Sequence, residues 1–301
     1  MSTADGTDGG DRGTRVDREA APAVVGVIGG GRMGAGIAQS FAAAGSHVTV
    51  VEGGAGAAAA ALERVAGGLR RAAERGALTE PVERVLARVT VVESVAALPA
   101  TADLVVEAVP EDAALKARLL AAAERAVGPG AVLATNTSSL SVTELASALS
   151  RPARFVGMHF FNPVPASELI EIVRAPGTGD ETVRAALAWT HALGKKDVVV
   201  RDSPGFASSR LGVALGLEAI RMVAEGVAEP EAIDDAMRLG YRHPMGPLRL
   251  TDLVGLDVRL AIAEHLHATL GDRFAPPELL REKVARGELG RKSGQGFYAW
   301  P

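Results

Sequence analysis

His159 and Glu171 stand twelve residues apart and are the side chains best placed to move a proton. Glu171 interrupts the run Leu169-Ile170-Glu171-Ile172-Val173, which reads as a strand apolar on both faces. A carboxylate inside such a strand is costly unless it is paired. His159 closes the preceding strand-like run, just before the turn Asn162-Pro163-Val164-Pro165, and is the obvious partner. Paired in this way, the carboxylate would fix the tautomer of the imidazole and stabilise its cation, which equips the ring as a catalytic base.

A second constellation could bind a phosphate. Val24-Val25-Gly26-Val27-Ile28 is followed by Gly29-Gly30-Gly31-Arg32-Met33-Gly34, then an alanine-rich helical stretch, then Val48-Thr49-Val50-Val51-Glu52. This is a strand–turn–helix–strand unit with the dinucleotide fingerprint at its turn. Gly29 permits the tight turn, Gly31 lets the backbone approach a pyrophosphate, and Gly34 lets the helix close on the strand. The helix N-terminus, entered through Arg32 and Met33, turns free N–H groups toward the phosphates. Glu52, 18 residues after Gly34, can bond both ribose hydroxyls and would repel a 2′-phosphate. No Arg stands in the following Gly53-Gly54-Ala55-Gly56-Ala57 to receive one, so the cofactor reads as NAD rather than NADP.

The elements that must position these groups alternate between β-rich and helical runs up to about residue 204. Strands are expected at 89–92, 104–109, 131–134 and 197–200, with helices at 111–127 and 180–193. The loop Thr135-Asn136-Thr137-Ser138-Ser139 leaves a strand and enters a helix through the capping box Ser141-Val142-Thr143-Glu144. In a parallel sheet such loops line the ligand edge. Ser138 therefore reads either as a hydroxyl meeting a substrate or as a serine bonding its own loop. The helical stretch 55–75 carries Leu62, Val65 and Leu69 at core spacing. Its Arg64, Arg70 and Arg71 read as a solvated face or as contacts for an anionic substrate tail.

Ser203-Pro204 supplies a cap and a first helical residue, so a long helix is expected from there to about 225. Beyond it come only helical segments, at 231–239, 256–270 and 277–286. The expected architecture is α/β: an N-terminal Rossmann-type doubly wound sheet with a C-terminal all-helical domain. Residues 1–22 read as a disordered tail, 23–204 as the dinucleotide domain and 205–301 as the helical domain.

Composition narrows the partners. The chain has a net charge of −4 and no basic face for a nucleic-acid backbone. No apolar run reaches the length a membrane helix needs, and no histidine spacing suggests a metal. The absence of cysteine excludes disulfide and thiol chemistry and fits a cytoplasmic location. Of its 32 basic residues 27 are Arg, which we read as coding bias of a GC-rich genome.

The motifs together resemble the 3-hydroxyacyl-CoA dehydrogenase family, of bacterial short-chain type. The resemblance rests on Val27–Gly34, Asn136-Thr137-Ser138-Ser139-Leu140, Gly157-Met158-His159-Phe160-Phe161-Asn162-Pro163-Val164-Pro165, Asp202-Ser203-Pro204-Gly205-Phe206, His243-Pro244-Met245-Gly246-Pro247 and Gly294-Gln295-Gly296-Phe297-Tyr298. It implies that His159 takes the 3-hydroxyl proton of an acyl-CoA substrate while NAD takes the hydride, that Glu171 orients His159, and that Ser138 bonds the substrate oxygen. It also implies that Asn136 and Glu111 lie beside the cofactor, and that the helical domain forms a homodimer. One position departs from the pattern: Ser209 stands where the family commonly has Asn, and its shorter side chain offers one donor rather than two. The competing readings are a dehydrogenase of free hydroxy or sugar acids, and a non-catalytic dinucleotide-binding protein.

Overall fold

The computed structural model describes residues 20–301; the tail expected at 1–22 falls almost wholly outside them. Eight strands form one sheet: β1 Val24–Ile28, β2 His47–Val51, β3 Val89–Val92, β4 Leu104–Glu107, β5 Val132–Thr135, β6 Phe155–Phe160, β7 Leu169–Arg174 and β8 Lys196–Arg201. Their order is β3-β2-β1-β4-β5-β6-β7-β8, and every neighbouring pair is parallel except β6 with β7. The order reverses between β1 and β4, so a crevice opens beyond their carboxyl ends, where open α/β sheets bind ligands.

Helices α1 Arg32–Ala43, α2 Ala55–Glu74, α3 Val82–Leu86, α4 Ala113–Ala126, α5 Val142–Ala146 and α6 Asp180–Ala192 cover this sheet. The central strands are buried on both faces and accordingly apolar on both sides, whereas the edge strand β8 is largely exposed. In β4, Leu104 and Val106 enter one cluster with Phe41 and Met158, and Val105 enters the opposite one with Leu120 and Phe155. A third cluster, built on Val213, Leu217, Leu248 and Leu266, holds together α7 Ser208–Ala224, α8 Pro230–Asp235, α9 Pro247–Val254, α10 Leu256–Leu270 and α11 Glu278–Ala285. No described helix is long and apolar enough to cross a membrane.

Several sequence expectations change at this level. The helix after residue 203 starts at Ser208, because Gly205 and Phe206 take positive φ (75° and 49°) and reverse the chain first. The helix expected from 111 starts at Ala113, capped by the Asp112 carboxylate on Leu115 N–H at 2.8 Å, since Glu111 is turned into a neighbouring loop. Ser141 caps α5 through Glu144 N–H and donates its own proton to Asp202. On α2 the buried stripe is Ala61, Val65 and Leu69, and Leu62 is exposed. Helix α9 was not anticipated; it has only eight residues and opens on Pro247, a residue that reads first as a turn.

Candidate active site

The pairing of β6 with β7 sets His159 directly opposite Glu171. Nδ1 of His159 lies 2.7 Å from Oε2 of Glu171, and both residues are buried. Three further donors reach the same carboxylate: the N–H groups of Ala207 (3.0 Å) and Ser208 (2.8 Å) on Oε1, and the Ser208 hydroxyl on Oε2 (2.7 Å). Burial pushes the Glu171 carboxyl up. The hydrogen bonds from His159 and Ser208 outweigh that push, and its pKa falls below the ordinary range. An ionised carboxylate can only accept, so Nδ1 is the donor of this bond, and in the neutral ring Nε2 then presents a lone pair. The rings of Phe161 and Phe206 flank the imidazole at 4.5 and 5.8 Å between centroids.

At the carboxyl end of β1, the chain turns through glycines. Gly29 adopts φ 98°, and a Cβ at Gly34 would fall 1.8 Å from the Gly29 carbonyl oxygen, so neither position tolerates a side chain. A Cβ on Gly31 would touch nothing within 4 Å, which leaves room for the backbone to meet a ligand. Gly31 begins α1 without a side-chain cap, and the free N–H groups of Arg32, Met33 and Gly34 open the helix. Glu52, one residue past β2, accepts a hydrogen bond from Gly30 N–H at 2.6 Å. An anion-accepting turn with a carboxylate beside it fits a dinucleotide pyrophosphate and its ribose.

Between these two sites lies the 135–139 loop. Asn136 accepts from Phe160 N–H at 2.8 Å, tying the loop to the strand end beside His159. Glu111 reaches the same loop, accepting from the Thr137 hydroxyl at 2.6 Å and the Ser138 and Ser139 N–H groups at 2.9 and 3.1 Å. Burial raises the Glu111 carboxyl, and the hydrogen bonds of this loop together with the charge of Lys116 carry it below the ordinary range. The Ser138 hydroxyl donates to the Glu111 carboxylate at 3.3 Å, a partner outside its own loop. Ser209 lies in the first turn of α7, half-buried, and bonds no other described side chain.

Sequence reasoning passed over two residues here. Ser208, next to the serine singled out, is the one that touches the His159–Glu171 pair. Lys116 is fully buried and donates to Glu107 at 2.7 Å, with Glu111 at 3.3 Å. Its signal was available, because Lys116 shares a helical stripe with Leu120 and Ala123, both in the core. A cleft runs beside α1 and α2. It holds about 1000 Å³ and is lined by Arg32, Arg64, Arg70, Arg71 and Arg75, with Glu63 and Glu74 among them, facing the 162–166 turn.

A doubly wound sheet with a dinucleotide turn, an acid after the second strand and a histidine–carboxylate pair across the crevice defines an NAD-linked oxidoreductase. The comparisons narrow this class. Residues 24–203 match the model of the 3-hydroxyacyl-CoA dehydrogenase NAD-binding domain, and 205–300 match that of the C-terminal domain of the same family. The chain is 46% identical over 274 residues to a probable 3-hydroxybutyryl-CoA dehydrogenase of Bacillus subtilis, covering 90% of this chain and 95% of that one. Crystal structures of FadB2 from M. tuberculosis and of (S)-3-hydroxybutyryl-CoA dehydrogenase PaaH1 from Ralstonia eutropha each superpose with TM-score 0.88 at 42% identity, over 93% of this chain and 100% of theirs. The protein belongs to the 3-hydroxyacyl-CoA dehydrogenase family and is an NAD-dependent oxidoreductase of 3-hydroxyacyl-CoA.

Proposed function

We propose that the protein interconverts short 3-hydroxyacyl-CoA and 3-oxoacyl-CoA, of 3-hydroxybutyryl length, with His159 as the acid–base residue. The observation that carries this reading is the 2.7 Å contact between His159 Nδ1 and Glu171, which leaves the ring's other nitrogen, Nε2, to serve as the base. In oxidation Nε2 accepts the proton of the 3-hydroxyl as C3 loses hydride; in reduction the imidazolium returns it to the developing alkoxide. Bound NAD supplies the hydride acceptor, or in its reduced form the donor. Glu171 holds the ring's tautomer and stabilises the imidazolium. Ser138, and Ser209 from α7, are the hydroxyls assigned to the substrate oxygen; Asn136 holds the strand edge beside it. Gly29, Gly31, Arg32, Met33 and Gly34 hold the pyrophosphate, Glu52 the ribose, and Glu111 the loop beside the nicotinamide.

The arginine-lined cleft suits the phosphates of coenzyme A, since guanidinium groups pair with phosphate oxygens in bidentate fashion. Exposed Leu211, Leu250, Val254 and Val258 on α7, α9 and α10 support a homodimer through the helical domain. Fatty-acid metabolism in the cytoplasm suits this chemistry and the cysteine-free chain.

The test is reduction of acetoacetyl-CoA by the purified protein with NADH, with NADPH and free acetoacetate in parallel. Fast turnover restricted to NADH and the thioester is the expected result. Turnover of the free acid alone would move the protein to the hydroxy-acid dehydrogenases, and NADH binding without turnover of either would make it a non-catalytic binder.

A further inference from the structure

The bond network around Glu171 contains a member that neither the cofactor nor the substrate requires. Ser208 is the first residue of α7 and belongs to the helical part of the chain, yet its hydroxyl donates to Oε2 of Glu171 at 2.7 Å. That oxygen is the one receiving His159 Nδ1–H, also at 2.7 Å. The Ser208 and Ala207 N–H groups hold the other oxygen at 2.8 and 3.0 Å. These two amides come from the segment that follows the positive-φ reversal at Gly205 and Phe206, so the start of α7 is folded around the carboxylate.

Two donors on one carboxylate oxygen compete for its electron density. Each bond to the anion lowers its affinity for a proton and weakens its attraction for the neighbouring imidazolium. We infer that Ser208 is a positioning residue that sets the proton affinity of His159 by sharing Oε2 of Glu171. This inference rests on the acid–base role given to His159 above.

Among the described residues, His159 is the one titratable side chain that bonds the Glu171 carboxylate. From β6 the facing group is His159, from β7 Glu171, and from β8 the residue registered with Glu171 is Val198. Phe161 and Phe206 are the aromatic neighbours of the His159 ring, and among the described residues no side chain other than His159 forms an ion pair with Glu171. The hydroxyl of Ser208 is therefore the adjustable element.

The test compares Ser208→Ala with Ser208→Thr on the full-length enzyme. Removing the hydroxyl leaves Oε2 to His159 alone and strengthens its hold on the imidazolium. In Ser208→Ala the acid limb of kcat/KM for oxidation moves up by about half to one pH unit, while Ser208→Thr keeps the wild-type midpoint. The imidazole of His159, assigned by its loss in His159→Gln, is titrated by NMR without substrate as a second readout. Its midpoint moves up by the same amount in Ser208→Ala. A ring titration that stays put, moves down, or moves equally in Ser208→Thr overturns the proposal, as does a uniform loss of rate with no shift. A ring titration that moves while the rate profile does not keeps the Ser208 contact and instead condemns the acid–base reading of His159.

Discussion

Glu107 and Glu171 are both glutamates on strands of the same sheet, and both are almost completely buried. Glu107 accepts from Lys116 Nζ at 2.7 Å, from the Thr135 hydroxyl at 2.6 Å and from Val109 N–H at 2.7 Å. Glu171 accepts from His159, from Ser208 twice and from Ala207. The two differ in what the partner can do with a proton. The partner of Glu107 is an ammonium group, and the pair braces α4 against the sheet. A histidine side chain can act as both acid and base, which is the role proposed for His159. Burial and pairing of a carboxylate thus do not mark a catalytic site by themselves; the partner's proton affinity does.

The comparison breaks if the brace proves dispensable. Lys116→Met leaves the Glu107 charge buried without its counter-ion and is expected to destabilise the fold by about 3–5 kcal/mol, read from urea denaturation. A loss below about 1 kcal/mol would mean that the pair is no stronger than a surface contact. A smaller effect concerns cofactor choice. Glu52→Ser removes a charge that would repel a 2′-phosphate, and the NADH-to-NADPH ratio of kcat/KM should fall by roughly tenfold. An unchanged ratio would remove Glu52 from the ribose site.

The smallest effect is on acid stability. Glu111 and Glu171 are both held below their ordinary value near 4.5. A depressed folded pKa contributes stability that is fully present above the unfolded value and is lost as pH falls through the folded one. The urea midpoint should therefore decline on acidification below about pH 4.5. A midpoint flat to about pH 3 would contradict the depressed carboxyls.

How much of this was legible in the sequence follows from distance along the chain. The glycine turn, β1, α1 and β2 are contiguous, so periodicity and three glycines sufficed to read them. Glu171 was legible because a carboxylate in an apolar strand is anomalous wherever its partner lies. Ser208 was not, because its partner is 37 residues away and its neighbour Ser209 drew attention by position. The start of α7 was misplaced for a related reason. Ser203-Pro204 carries a valid capping signal, and only the tertiary requirement to turn Phe206 inward against His159 overrides it. The arginines of α2 were undecidable from charge alone, since the cleft they line is closed on its other side by a turn about 100 residues later.

The most direct measurement is the rate of acetoacetyl-CoA reduction by wild-type protein and by His159→Gln, each with its NADH affinity determined separately. Loss of turnover by about 10²–10⁴ with NADH affinity kept is the result expected of a buried imidazole that carries the proton. Turnover within tenfold of wild type would contradict His159 as the acid–base residue, whatever its contact with Glu171.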